Sequence, residues 1–421
     1  MTLKKSLSNR VNKICSVLLV AWVCWPWLGQ NTGLLGGFFL AFMWCITAFF
    51  MSDKHTFGYE GMLMGFYAIY MMLSFIVTRR VYANYQLYYF ISMVTLFFLP
   101  YYMMRFYFKR KETKFLGKLA VFAIVCMIVG CLTSIYYTSI DENIMKTISQ
   151  SLDTEFVEYR KVGIGSFGFV YMVMFSVLSV IGAFKAKLAS QNIRVKILLI
   201  VFCVIGIKCL IDSTFTTALL LTICGILFVI VMSKKSKASN ISVGLISVLV
   251  FLVAARFLGR FLSTVSLASE DVTVRLREIG NLLMGEEGGE NTTSRMEYLQ
   301  RAFRCFFESP ILGYNFASSP RYLPGGHSEW IDIFGIYGLI GGIPIVISLI
   351  IKLKNTLIIS KTNNYPYYGV IIFIFVFYGF LDPFLTLYHI GFGMFFIIPC
   401  IGCISQAFKK EAVKSEDTLD N

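Results

Sequence analysis

Charge is what this chain has least of. Asp, Glu, Lys and Arg make up 15% of its 421 residues, against about a quarter in an ordinary soluble protein. That shortage excludes a soluble multidomain chain of this length. The 57% hydrophobic content and mean hydropathy of +0.70 exclude disorder as well. Histidine is scarcer still: His55, His327 and His389 are all there is, so a histidine-built zinc site is not expected. There is no GxxxxGK[ST] loop, which argues against ATP as an energy source. GxGxxG in a strand–helix context and HExxH are missing too. Neither a metal nor a cofactor is expected. Cysteine is not short, at 11, yet nearly all of it lies in apolar segments. Cys305 stands alone in the largest polar segment, which therefore cannot close an internal disulfide. Cys400 and Cys403 form a C-x-x-C in apolar surroundings that favour packing over redox or metal chemistry.

Long apolar runs are what the chain has instead. They come in blocks of about 20 residues, enough to cross a bilayer as helices. Twelve spans are predicted, near 14–28, 33–51, 61–77, 83–104, 115–137, 166–184, 197–211, 215–232, 241–258, 333–351, 366–381 and 386–405. Trp25-Pro26-Trp27 ends the first span where a cleavage site would need small residues, so it reads as an interfacial belt rather than a signal peptide. With the amino terminus inside, the inner segments hold 24 of the 38 basic residues and seven acids, about +17. The outer segments hold 12 basic and 17 acidic residues, about −5. The excess of Lys and Arg on one side places both termini in the cytoplasm. It also explains the net charge of +14 without invoking nucleic acid.

A second asymmetry points to function. Ten of the 12 outer basic residues are arginine: Arg79, Arg80, Arg160, Arg260, Arg275, Arg277, Arg295, Arg301, Arg304 and Arg321. Only four of the 24 inner ones are. Lysine serves topology as well as arginine does, whereas the planar guanidinium fork fits phosphate and carboxylate. The outer face therefore suggests either an anionic ligand or pairing of these arginines with the outer acids.

Two outer segments exceed ordinary loop length, 138–165 and 259–332, and the second is long enough to fold and to work. The chain thus divides into 1–258 with nine spans and the smaller loop, the large loop 259–332, and 333–421 with three spans and a cytoplasmic tail. In the large loop, Val272, Leu276, Ile279 and Leu283 share one face of a helix over Glu270–Met284. A second helix is expected from Ser294, with Glu297 completing a capping box and Arg295 in the first turn. Met296, Leu299, Phe303, Phe306 and Phe307 form its apolar side; Ser309-Pro310 ends it and Gly313 permits a sharp turn. His327 follows a Gly-Gly pair and precedes a helix from about Ser328 carrying Glu329 and Asp332, a setting suited to acid–base work or to holding a sugar hydroxyl. Lys208, Asp382 and His389 are ionisable at membrane depth, Lys208 with Asp212 four residues on as partner.

The stretch Arg295–Gly341, with "SRMEYLQRAFRCFFESPILGYNF" and then "GGHSEWIDIFGIYGLIGG", resembles the bacterial O-antigen polymerase and O-antigen ligase family. The resemblance rests on Arg295 at the start of an outer-loop helix, Pro310 with Gly313, His327 leading into a helix, and Gly338 with Gly341. It extends to the layout of spans and to "EYRKVGIGSFGFVY", where Arg160 is the matching residue. Two positions depart from the family pattern: Ser328 stands where Asn is frequent, and the turn Asp212–Thr217 has no arginine. The resemblance implies an all-α integral membrane protein of about 12 transmembrane helices, GT-C-like, with a large helical extracytoplasmic loop. It implies a glycosyltransferase of the bacterial cytoplasmic (inner) membrane serving lipopolysaccharide, capsular or exopolysaccharide synthesis. Oligosaccharide repeats on undecaprenyl pyrophosphate would be joined at the outer face, and a chain-length regulator protein is an expected partner. On this reading Arg160 and Arg295 clamp the pyrophosphate, assisted by Arg301, Arg304 or Arg321, and Lys208 or Arg160 supplies the substrate-binding charge that the Asp212–Thr217 turn lacks. His327 orients or deprotonates the acceptor hydroxyl, with Glu329 or Asp332 as orienting partner or substitute base. A ligase moving finished glycan to a lipid or protein acceptor fits the same residues. A transporter or flippase of lipid-linked glycan is the reading from another class; it predicts inverted repeats and functional groups at the midplane, which the sequence does not show.

Overall fold

The computed structural model describes residues 2–51, 58–78, 87–150, 161–188, 192–231, 290–317 and 324–408, with isolated positions at 159, between 260 and 284, and at 321–322. Among the described residues the protein is helical, with no strand. In chain order the main helices are α1 (Thr2–Cys24), α2 (Pro26–Met51), α3 (Gly58–Thr78), α4 (Leu87–Lys109), α5 (Thr113–Thr138), α6 (Ile144–Gln150), α7 (Phe167–Lys185), α8 (Ile193–Asp212), α9 (Thr216–Val231), α10 (Glu290–Glu308), α11 (Glu329–Thr362) and α12 (Tyr368–Tyr378). A terminal stretch runs from Tyr388–Phe392 through a π-helical turn at Gly393–Ile397 into Ile398–Ile401. Among the described residues five helices are long and apolar enough to cross a membrane: Leu7–Cys24 of α1, then α2, α5, α7 and α11. Shorter apolar helices accompany them, including Thr217–Val231 and Tyr388–Ile401. The protein is therefore an α-helical membrane protein. The span expected at 241–258, the helix expected over Glu270–Met284 and the tail from 409 lie outside the described residues.

α7 is the central helix. Its run Phe169–Val180 is buried on every side, packed between α8, α9 and the terminal stretch. A helix hydrophobic all round belongs in a bundle interior. The helices on the rim keep Phe39, Phe50, Ile200 and Ile350 exposed, as membrane-facing surfaces do.

α4, α7 and α11 end alike. At each, a residue with positive φ follows the helix: Lys111 (57°), Lys187 (59°) and Asn364 (58°). The next amide reaches back five residues: Glu112 N–H donates to Tyr107 O, Leu188 N–H to Ala183 O and Tyr365 N–H to Ser360 O. This is the Schellman closure, which satisfies carbonyls that the helix end would leave open. Glu112 also binds Lys13 of α1 (2.5 Å) and Arg110 (3.1 Å), joining two helices at that end.

α11 is longer than the span expected at 333–351, and it is broken. Gly338 sits at φ 59°, ψ −167°, which interrupts the helical hydrogen bonds and is open only to glycine. The freed amides are taken by the loop after α10: Leu339 N–H donates to Pro310 O (2.8 Å) and Ile340 N–H to Ile311 O (3.1 Å). Gly313, at φ 72°, lies against Gly338 so closely that a Cβ on either would collide with the other's backbone. The Tyr70 hydroxyl of α3 lies 2.6 Å from Leu312 O and 2.9 Å from Tyr337 O, sharing its proton between two further carbonyls of the break. Gly341 passes beneath the Tyr70 ring. Pro310, Gly313, Gly338 and Gly341, read in the sequence as separate motif positions, form one interlock.

Lys352, just past the span expected to end at 351, is wholly buried within α11. Its ammonium contacts Ser348 Oγ and lies 4.6 Å from the Phe98 ring centroid, 5.4 Å from that of Tyr102 and 5.7 Å from that of Tyr101. The helix continues to Thr362, so the charge stays inside and is met by aromatic faces of α4.

Candidate functional site

The site forms where α10 packs along the start of α11. α10 begins at Glu290, four residues before the expected Ser294, so Ser294 is not the cap and Arg295 lies in the second turn rather than the first. An acid at the opening residue suits the positive end of the helix dipole. The face buried against α11 also differs from the expected one. Ala302 and Cys305 are buried, whereas Phe303 and Phe307 are exposed. The reason is distance: Cys305 Sγ lies 3.6 Å from Gly335 O, an approach that phenylalanine would prevent. Burial, with the carboxylates of Asp332 and Glu308 nearby, pushes the Cys305 thiol up to about 12.

Asp332 builds the turn that holds His327. Its Oδ1 accepts Gly325 N–H (2.8 Å), and Oδ2 accepts Gly326 N–H (2.9 Å) and Ser328 N–H (3.1 Å). Gly326 takes φ 76° within this turn. Gly325 sits directly on the Tyr298 carbonyl of α10, where no side chain would fit. Glu329 is buried at 6% exposure, and its Oε2 accepts Phe384 N–H (2.6 Å) and Leu385 N–H (3.1 Å). Both carboxylates were expected as partners or substitute base for His327; the Asp332 oxygens hold the backbone on either side of it, and Glu329 Oε2 holds that of Phe384 and Leu385.

The His327 ring stacks on Tyr298, with centroids 4.4 Å apart and planes at 24°. The Arg301 guanidinium lies 4.4 Å from the same Tyr298 centroid, as its position one turn along α10 allows. Its Nε is buried and has no hydrogen-bond partner among the described residues. Arg304 lies 5.8 Å over the Tyr322 ring. Arg321 is exposed, its backbone N–H donating to Glu308 Oε1 (2.8 Å) and Oε2 (3.0 Å), while Tyr322 N–H donates to Oε2 (3.2 Å). Among the described residues none of Arg301, Arg304 and Arg321 forms an ion pair. Glu308, four residues after Arg304, accepts amides instead. Arg301 with His327 on the Tyr298 ring, and Arg304 on the Tyr322 ring, are thus supported by aromatic faces rather than neutralised by carboxylates, an arrangement that suits a diffuse anion.

Other expected positions fall elsewhere. Lys208 pairs with Asp212 on α8 (2.5 and 2.6 Å), four residues along one helix. Asp382 accepts the Tyr171 hydroxyl (2.7 Å), and His389 stacks on Tyr388 (4.1 Å) beside Gly168. The turn after α8 puts Thr214 at φ 56°, an unusual conformation for a β-branched residue. Arg160 and the side chain of Arg295 lie outside the described residues. The residues next to Arg160 are tied to the start of α2, where Asn31 Nδ2 donates to Lys161 O (2.9 Å) and Gln30 Nε2 to Ile164 O (2.7 Å). Tyr298 and Tyr322 were not singled out by sequence. The available signal was the spacing of Tyr298 from Arg301, but a tyrosine on an amphipathic helix has many commoner uses.

No family model, curated protein or solved structure matches the chain.

Proposed function

We propose that the protein is a membrane glycosyltransferase that polymerises oligosaccharide repeats carried on undecaprenyl pyrophosphate. The observation that supports this most is the arginine–histidine cluster at the α10–α11 junction, in which Arg301, Arg304 and Arg321 have no ion-pair partner among the described residues. The acceptor hydroxyl attacks the anomeric carbon of the donor sugar. The bond from that carbon to the pyrophosphate oxygen breaks, and the lipid pyrophosphate leaves with the electron pair. Arginines at the leaving group stabilise its developing charge. Arg301, Arg304 and Arg321 serve this role together with Arg160 and Arg295. His327 takes the proton from the acceptor hydroxyl. Asp332 and Glu329 keep the turn and the helix start in place. The donor is already activated, so neither ATP nor a cofactor enters the scheme.

The test is polymer chain length in cells carrying His327→Ala, Arg301→Ala or Arg295→Ala at normal protein level. Each is expected to lower polymer output by about tenfold or more, the range for loss of a proton-transfer or charge-stabilising group. Wild-type polymer in all three sinks the proposal. In a null strain, single repeats on the acceptor fit a polymerase, whereas long glycan stranded on its lipid carrier makes the protein a ligase.

A further inference from the structure

Tyr298 contacts both His327 and Arg301, and its role goes beyond the reading above. The imidazole stacks at 4.4 Å from its ring centroid, and the guanidinium lies 4.4 Å from that same centroid. Its backbone carbonyl is the surface on which Gly325 of the His327 turn rests. Its hydroxyl makes no hydrogen bond among the described residues, so it is the ring that makes these contacts. On the other side of the turn, Asp332 gathers the amides of Gly325, Gly326 and Ser328. His327 is thus held from two directions, its backbone by a carboxylate of α11 and its side chain by an aromatic ring of α10.

We infer that Tyr298 is a positioning residue that holds the His327 imidazole and the Arg301 guanidinium as one unit, through its ring and not its hydroxyl. In the proposed reaction one group handles the acceptor proton and the other the departing phosphate, so their separation decides whether both act on the same donor–acceptor pair. A stacked ring fixes that separation, because cation–π and stacking contacts restrict two otherwise flexible side chains. Misplacement by about 1 Å in such an arrangement costs on the order of a hundredfold in rate.

The inference rests on the glycosyltransferase reading, so its test has an arm that does not depend on activity. His327 in the purified full-length protein is modified with diethylpyrocarbonate and followed by mass spectrometry, with the half-buried His389 of the terminal stretch as internal reference. In Tyr298→Leu, His327 is expected to react several-fold faster than in wild type, while Tyr298→Phe stays within about twofold of wild type. Polymer output is expected to fall about tenfold or more in Tyr298→Leu and to be preserved in Tyr298→Phe. Unchanged His327 reactivity in Tyr298→Leu overturns the positioning role. Equal loss of polymer in the Leu and Phe variants overturns it too, since the hydroxyl would then be the working group. Faster modification in Tyr298→Leu, with normal polymer in His327→Ala, upholds the clamp and rejects the glycosyltransferase reading instead.

Discussion

At the scale of single residues, carboxylates in this site act on backbone rather than on other side chains. Asp332 illustrates it. Two oxygens accept three amides, and the acceptor set is complete only while the group is ionised and both oxygens face the turn. Asp332→Asn replaces one oxygen by an NH2, which would meet either the Gly325 amide or those of Gly326 and Ser328, donor against donor. Leaving one or two amides without acceptors costs about 1–3 kcal/mol. The expected outcome is a lower unfolding temperature in detergent together with loss of polymer, with protein level retained. Unaltered unfolding and polymer length would mean that the turn does not need this carboxylate. Lys208 shows the contrary case. Its pair with Asp212 closes within one helix turn and ties α8 to no other element.

At the scale of elements, α11 and its break decide where the site stands. Gly338→Ala is expected to be severe, because its φ of 59° is unfavourable for any side chain and the added Cβ would strike the backbone at Ile311 and Gly313. Strain of this kind costs about 1–3 kcal/mol before the steric clash is added. Accumulation of the variant at wild-type level with an unchanged unfolding temperature would contradict the interlock. Lys187→Gly runs the other way. A non-glycine residue in the left-handed region carries a penalty of about 1 kcal/mol, while a cation at a helix C-terminus returns about 0.3–1 kcal/mol. The conformational term is the larger, so Lys187→Gly is expected to raise the unfolding temperature slightly. A decrease would show that the charge at the end of α7 matters more. The same comparison explains what was legible in the sequence. The spans at 115–137 and 166–184 were readable because uninterrupted apolar runs have one stable form in a membrane, and they are α5 and α7 almost to the residue. The helix start and turn at Ser328 and Gly313 were readable from local chemistry. The turn at Gly338 was signalled only by the resemblance, through Gly338 with Gly341, because a glycine within an apolar run looks the same whether the helix bends there or not. Its conformation is set by Pro310 and Ile311, which are distant in sequence. The start of α10 and the stacking of His327 on Tyr298 were hidden for the same reason: each is determined by packing across elements.

At the scale of the whole molecule, the two ends of the bundle are chemically different. The His327 turn and the arginine cluster stand at the first residue of α11, and Asn364 with its Schellman closure stands at the last. The end of α7 meets that second end, where the Tyr365 hydroxyl reaches Ser179 O at 3.0 Å and Gly182 abuts Tyr367. Lys111 and Lys187 therefore sit at helix ends of the type that positive residues favour, while the opposite end is arginine-rich and net acidic in sequence. A membrane protein keeps its lysine-rich end in the cytoplasm, so the His327 end should face outward. This is checked with Arg321→Cys and Lys187→Cys in intact cells, using a maleimide that does not cross the membrane. Native cysteines give a low background: all 11 are at least partly shielded, and Cys305, the one beside the site, is buried and its thiol pushed up to about 12, which keeps it protonated and slow to react. Arg321→Cys is expected to label in intact cells and Lys187→Cys only after the cells are opened. The opposite pattern would put the arginine cluster in the cytoplasm, where a polymerase acting on exported repeats has no substrate, and would remove the topological basis of the proposed function.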